Sequence, residues 1–438
     1  MKYFYLSCFL SINMYCAGQE AMTFESCLDR AMRENLMIKS AELAERNALT
    51  QYRASYGMAL PNLTADGESR SSRGKEIDND TNLFVRDDLI WYEGTLNSYF
   101  TIFNGFTTIN TIKRTKRELE SNRSQLQNIR NDVTIELAQR FITILFLQEA
   151  IAANKEQIST STKQLEMAEL KFSQGAIPES EVFKIRAQKG TEEVALLNNE
   201  NALAINTVAL KQLMQMPLDQ EITLLTPEVN LDKLVVDDRD PNEIVNQAVT
   251  IHPAYQKSIW DQKVAKSELA LSRSARWPML NMRLMYRSNY QADNDEIRFE
   301  DQLDDNTSKQ VRFYLTIPIF NRFQTNADVK ARKFQYKQAQ VFTQIEYNRL
   351  SQQVVQAIQD ARTARKKNEA SAAAFDFTQR SLSADALKFE MGRINMTEFN
   401  TTKMLYNNAQ AELIRSKYEL LFNNALVRFY MGDTFRLE

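Results

Sequence analysis

Leu170-Lys171-Phe172-Ser173-Gln174-Gly175-Ala176-Ile177-Pro178-Glu179-Ser180-Glu181 and Leu387-Lys388-Phe389-Glu390-Met391-Gly392-Arg393-Ile394-Asn395-Met396-Thr397-Glu398 carry one pattern, Leu-Lys-Phe-x-x-Gly-x-Ile-x-x-x-Glu, 217 residues apart. The same offset joins Ala31 to Ala248, Pro61 to Pro278, Ile102-Phe103-Asn104 to Ile319-Phe320-Asn321, Phe106 to Phe323 and Met214 to Met431. A register kept from one end of each half to the other marks a duplicated unit without net insertion. Each half is too long for a solenoid unit, so the protomer reads as pseudo-twofold. Thr226-Pro227-Glu228 and the charged run Asp237 to Pro241 interrupt helical periodicity and place the junction near residue 230.

Only 10 Gly and 8 Pro occur in 438 residues, so long uninterrupted helices are expected. From Phe106 no Gly or Pro occurs before Gly175. Apolar residues recur there at steps of seven through Ile112, Leu119, Leu126 and Val133. They shift by four to Leu137 and resume through Ile144, Ile151, Ile158, Leu165 and Phe172, a stutter that locally relaxes a left-handed supercoil. At 1.5 Å per residue this helix would be about 100 Å long. A return helix starts at Pro178, which suits a first turn, and the second half repeats the pair.

Ahead of each long helix the period changes to two. Leu63, Ala65 and Gly67 alternate with Thr64, Asp66 and Glu68, and Tyr92, Leu96, Phe100 and Ile102 with Glu93, Thr95, Asn97 and Thr101. In the second half Leu280, Met282, Leu284 and Tyr286 alternate with Asn281, Arg283 and Arg287, and Val311, Phe313, Leu315 and Ile317 with Arg312, Tyr314 and Thr316. An apolar face backed by a charged face suits strands with lipid on one side and a wet lumen on the other. The polar stretches Lys75 to Leu89 and Ala292 to Lys309 read as long extracellular loops. Four strands cannot enclose a lumen, since single-chain barrels start at about eight, so oligomerisation is expected; three protomers would supply twelve strands.

Lys2, the apolar run Tyr3 to Met14 and the small residues Cys16-Ala17-Gly18 read as an export signal over residues 1–18. Its removal takes Cys8 and Cys16, leaving Cys27 alone and no intrachain disulfide; lipidation of Cys16 is the other reading. No later run of about 18 apolar residues suits a transmembrane helix. Formal net charge −2 gives no basis for a nucleic-acid partner. One His and three Cys make zinc or triad chemistry improbable, and no enzyme or cofactor is expected.

Short helix, strand pair and long helical hairpin with a Phe-x-x-Gly turn, all repeated, resemble the TolC-like outer-membrane factor family over residues 20 to 434. The carriers are Pro61 and Pro278, Ile102-Phe103-Asn104-Gly105, Pro318-Ile319-Phe320-Asn321 and the two turns. The resemblance implies a mainly α fold with a small β part: a homotrimer with a 12-stranded outer-membrane β-barrel on an α-helical periplasmic tunnel. The first repeat would span 19–230, with strands about 61–73 and 91–103 and helices about 106–172 and 178–216. The second would span 231–438, with strands about 279–291 and 310–320 and helices about 323–389 and 396–431.

By the same resemblance the protein is a passive channel of a tripartite efflux or type I secretion system, set in outer-membrane lipid. Its partners would be a periplasmic adaptor and an inner-membrane transporter. Lys171, Phe172, Gly175, Ile177, Lys388, Phe389, Gly392, Arg393 and Ile394 would form the adaptor-docking turns, although helix capping also accounts for the glycines. Glu398 would take the first acidic position of a periplasmic entrance ring, with Thr401 at the second, and Glu181 would also belong to the entrance; a favourable place at a helix start also explains both glutamates. A latch implied at positions 389 and 394 meets Phe389 and Ile394, and Phe389 has no hydroxyl to donate to Glu181; Arg393 is the neighbouring substitute. An exported coiled-coil scaffold without a channel is the alternative.

Overall fold

The computed structural model describes residues 20–77, 83–227, 239–291 and 298–437; the expected export signal therefore lies outside the described residues. In chain order the elements are β1 (Glu20–Met22), α1 (Phe24–Glu34), α2 (Leu36–Gly57), β2 (Thr64–Ile77), β3 (Phe84–Asn104), α3 (Thr107–Ser173), α4 (Glu179–Leu213), β4 (Ile222–Leu224), α5 (Pro241–Ile251), α6 (Pro253–Ser274), β5 (Met279–Gln291), α7 (Phe299–Asp305), β6 (Ser308–Thr316), α8 (Gln324–Glu390) and α9 (Met396–Tyr430). Both ends of α5, α6, α8 and α9 fall 217 residues after those of α1, α2, α3 and α4. The duplication is thus kept at every one of these helix boundaries, and the halves diverge in their strands.

The segment before each strand pair is two helices, not one short helix. α1 stops at Asn35, whose backbone leaves the helical region, and whose Oδ1 accepts from Met37 N (2.9 Å) and Ile38 N (3.3 Å) to start α2. An Asn side chain saturating the first free amides is a helix N-cap. His252 makes the same break, followed by Pro253, which has no N–H to extend α5. The His252 ring stacks on Tyr430 at 5.9 Å, a structural role.

The chain folds into two compact units. The first comprises residues up to Ala41, Leu126–His252 and Asn348–Glu438. Its core packs Phe24, Cys27, Ala31 and Ile38 against Leu137, Phe141, Ile144, Leu210, Met214 and Leu420. Phe24 meets Phe141 edge-on at 5.6 Å, and Cys27 is wholly buried. Each large apolar side chain of this kind contributes about 1.5–3 kcal/mol through burial. A short parallel pairing of β1 with β4 ties the start of the described chain to the end of the first repeat.

The second unit, Glu42–Gln125 with Pro253–Tyr347, holds most of α2, α6, the first parts of α3 and α8, and an antiparallel sheet in the order β2-β3-β5-β6. The two halves therefore form one sheet, joined by β3 and β5. One face carries Tyr92, Leu96, Phe100, Met282, Leu284, Tyr286, Val311, Phe313 and Leu315; the other carries Asp66, Glu93, Asn97, Arg283, Arg287 and Arg312. On the polar face Asn97 Nδ2 donates to Asp66 Oδ2 (3.0 Å), and Arg283 donates to Asn97 Oδ1 (2.7 and 3.2 Å). Three strand expectations need correction. β2 and β3 stay paired out to Ile77 and Phe84, so most of Lys75 to Leu89 is hairpin rather than loop. Sequence-adjacent strands add each rung at little entropic cost, whatever the polarity of the side chains. Within Ala292 to Lys309 lies α7, packed on β5 through Tyr290 and Phe299 (4.9 Å). β6 ends at Thr316 rather than 320, because Pro318 cannot donate to a ladder.

Candidate functional site: the helical turns and the polar link beside them

The two Phe-x-x-Gly segments close α3 and α8 in the same way. Gly175 N donates to Phe172 O (2.8 Å) and Ala176 N to Lys171 O (2.9 Å); Gly392 N donates to Phe389 O (3.0 Å) and Arg393 N to Lys388 O (2.8 Å). These are Schellman closures. Both glycines have φ +70°, with nothing within 4 Å of an added Cβ, so the backbone angle alone calls for glycine.

The return helices start differently. Pro178 caps α4 without a side-chain bond, whereas Asn395 Oδ1 accepts from Glu398 N (2.9 Å) and Asn395 Nδ2 donates to Glu398 Oε1 (3.1 Å). Glu398 is exposed and engaged in this reciprocal cap. Thr401, one turn on and also exposed, returns its hydroxyl to Thr397 O (2.9 Å). Glu181 pairs through Oε1 with Lys184 (2.8 Å), while its Oε2 is buried without a hydrogen-bond partner.

The turns touch one another. Lys184 Nζ reaches Thr397 Oγ1 at 3.4 Å, and the Lys171 ammonium lies 5.4 Å from the centre of the Phe389 ring. Phe389 stacks on Phe399 at 5.1 Å, so this Phe makes an apolar and cation–π contact where the implied latch wanted a hydroxyl. Ile177 packs on the small cluster Ala168, Val182 and Ile185 together with Met396. Phe172 is exposed, Ile394 half-buried, and Arg393 is exposed without an ion pair among the described residues. Lys388 pairs with Asp385 (2.9 Å), and that contact plus the Thr402 hydroxyl holds the Asp385 carboxyl below its ordinary value.

Beside the turns lies a polar link that the sequence motifs do not reveal. Lys403 of α9 donates to Glu192 Oε1 of α4 (3.3 Å), Ser161 Oγ of α3 (2.5 Å) and Gln164 Oε1 (3.4 Å). Ser161 donates to the other Glu192 oxygen, and Gln188 Nε2 adds a bond to Oε1 (3.1 Å). Lys403, Glu192 and Ser161 are all buried. Burial pushes the Lys403 ammonium below its ordinary value, with Glu192 opposing. The available signal was a Ser at a core position of the heptad between Ile158 and Leu165, and a Lys one turn after buried Phe399. A cavity of about 690 Å³ lined by Lys171, Phe389, Phe399, Lys403 and Tyr406 runs alongside.

Among the described residues no His/Cys/Asp/Glu cluster could hold a metal, and no helix is long and apolar enough to cross a membrane. The sequence model of the outer membrane efflux protein family matches residues 27–214 and 244–433. The two matched stretches begin 217 residues apart, at the repeat offset. The chain belongs to the outer membrane efflux protein family. As a member of that family it is an outer-membrane efflux protein, and not an enzyme.

Solved structures share the fold. The CmeC outer membrane channel of Campylobacter jejuni superposes with TM-score 0.83 at 16% identity, covering 94% of this chain and 86% of that one. VceC of Vibrio cholerae gives 0.79 at 13%, covering 94% and 97%. The open state of the MtrE outer membrane channel of Neisseria gonorrhoeae gives 0.77 at 12%, covering 95% and 90%. No curated protein sequence matches the chain.

Proposed function

We propose that three copies of this chain assemble into one twelve-stranded outer-membrane barrel on a helical periplasmic tunnel. The assembly passively conducts substrates that an inner-membrane pump delivers through a periplasmic adaptor. The observation that carries this reading is the four-stranded sheet itself. It has one apolar and one charged face, and its edge strands β2 and β6 have no further strand partner among the described residues. Unpaired backbone edges are not tolerated in lipid, and an exposed apolar face is unfavourable in water; closure with two further copies pairs the edges, and membrane lipid covers the apolar face. The Phe-x-x-Gly turns are the adaptor-docking surface, and Glu398, followed by Thr401 and opposed by Glu181, lines the tunnel entrance. Three carboxylates about a narrow pore attract cations and repel one another. The test is native mass of the detergent-purified protein together with planar-bilayer conductance, wild type beside Glu398→Ala. A trimer with a cation-preferring conductance that loses its preference on substitution is expected. A monomer that forms no channel overturns the reading, and a trimer whose selectivity ignores the substitution removes the gate.

A further inference from the structure

The internal repeat specifies how one protomer's sheet joins the next. Under the 217-residue shift, the β2–β3 pairing Thr64–Asn97 becomes Asn281–Tyr314 and Ala65–Leu96 becomes Met282–Phe313, and both are observed in β5–β6. The two hairpins are therefore the same object in the same register. They meet inside the chain at β3–β5, where paired residue numbers add to 382 from Trp91–Gln291 to Thr101–Asn281. A closed ring of such hairpins has one more kind of seam, between β6 of one copy and β2 of another. Uniform strand tilt requires the same stagger at every seam.

We infer that β6 pairs antiparallel with β2 of a second copy of this chain in that same register, residue numbers again adding to 382. This rests on the trimeric barrel proposed above. Leu96 pairs with Tyr286 within the chain; shifting both by the repeat sets Phe313 opposite Ser69 of the partner subunit. Val311 then faces Ser71 of the partner subunit, and Leu315 faces Gly67 of the partner subunit. Side-chain size supports the match. Val311, Phe313 and Leu315 are each more than 60% exposed on the open edge of β6, while the same face of β2 offers Ala65, Gly67, Ser69 and Ser71.

On the charged face Tyr314 meets Glu68 of the partner subunit, and Thr316 meets Asp66 of the partner subunit. Arg312 falls opposite Arg70 of the partner subunit, with Glu68 of the partner subunit as its diagonal neighbour. Within its own chain the Arg70 guanidinium lies 5.1 Å from the centre of the Trp91 ring. A slip of one residue would turn every apolar side chain of β6 into the lumen. A slip of two, with numbers adding to 380, would pair Arg312 directly with Glu68 of the partner subunit and is the electrostatic competitor. Symmetry and side-chain size select 382, because the two-residue slip would break the stagger and set Phe313 on Gly67 of the partner subunit.

Disulfide trapping reads the register. Directly opposed residues approach closely enough for a disulfide, whereas positions two residues along do not. Phe313→Cys is combined in one chain with Ser69→Cys, Ser71→Cys or Gly67→Cys, and Tyr314→Cys with Glu68→Cys, Asp66→Cys or Arg70→Cys. Two adjacent levels are used because hydrogen-bonded and non-hydrogen-bonded pairs alternate. Cys27 is buried and stays in place. The expected result is several-fold more covalent trimer, on non-reducing denaturing gels, from 313/69 or 314/68 than from any shifted pair. A non-covalent trimer that traps best at 313/67 and 314/66, at 313/71 and 314/70, or at no pair overturns the register. A protein that native mass spectrometry shows to be monomeric refutes the trimeric barrel itself.

Discussion

Lys403 and Glu192 form an ion pair at 3.3 Å with side-chain exposures of 6% and 5%, joining α9 to α4, and Ser161 of α3 bonds to both. Neither charge has water to fall back on, so each depends on the other.

Replacing only Lys403 should therefore be severe. Lys403→Met is expected to destabilise by about 3–5 kcal/mol, because Glu192 would stay buried and charged without a cation. Lys403→Met with Glu192→Leu should recover most of that loss, since apolar pairs often substitute for buried ion pairs at little cost. Thermal unfolding of the two variants in detergent checks this; equal destabilisation in both would mean the pair is not coupled.

The turn glycines separate backbone strain from packing. Gly175→Ala and Gly392→Ala should each cost about 1–2 kcal/mol, the ordinary penalty for a side chain in the left-handed region. Gly105→Ala should cost more than either, because its φ is +63° and an added Cβ would collide with the Ser274 carbonyl oxygen. The ranking of the three melting temperatures is the measurement.

Asn395 and Glu398 share one cap but should respond differently. Asn395→Ala is expected to lower stability by about 1 kcal/mol through loss of the N-cap. Glu398→Ala retains the Asn395 Oδ1 bond to the residue 398 amide and should cost only about 0.3–1 kcal/mol, the range for a charge at a helix terminus. If conductance changes in Glu398→Ala and not in Asn395→Ala, the carboxylate acts on permeating ions rather than on the helix start.

Alkaline titration should show two lysines of opposite sign. Glu412 and Glu419 raise Lys367 above its ordinary value of 10.5. Its contribution is therefore complete below 10.5 and is lost as pH climbs through the raised value; with a third of the side chain exposed it is worth less than about 1 kcal/mol. For Lys403, burial lowers the folded value below 10.5. The unfolded chain then holds the proton more tightly between the two values, and this group makes stability rise with pH across that window. Melting curves of wild type, Lys367→Met and the Lys403→Met/Glu192→Leu pair over this range should show the Lys367 difference shrinking with pH, and the upward slope vanishing in the double variant.

Legibility followed how local the cause was. The long helices could be read from heptad spacing and scarce Gly and Pro, and the turns from Gly175 and Gly392, because a C-cap depends on a handful of adjacent residues. The break at Asn35 is not legible even though Asn is a capping residue, since its Nδ2 bond to Leu213 O (3.0 Å) spans 178 positions. The extension of β2 and β3 is hidden in the sequence because a backbone ladder tolerates the charged residues that read as loop. Ser161, Glu192 and Lys403 stand far apart in sequence, and each alone looks like an ordinary polar residue on a helix.

The duplication, the lengths of the long helices, the two-faced strands and the family can all be read along the chain, because periodicity and spacing are local and were written twice. That the two strand pairs form one sheet through β3 and β5, and that Phe389 stacks on Phe399 where the implied latch wants a hydroxyl, emerges only once the chain has folded. So does the way a Lys, a Glu and a Ser from three helices satisfy one another out of water. The register of strands far apart in sequence and the pairing of buried charges depend on which surfaces meet, and no single segment encodes that.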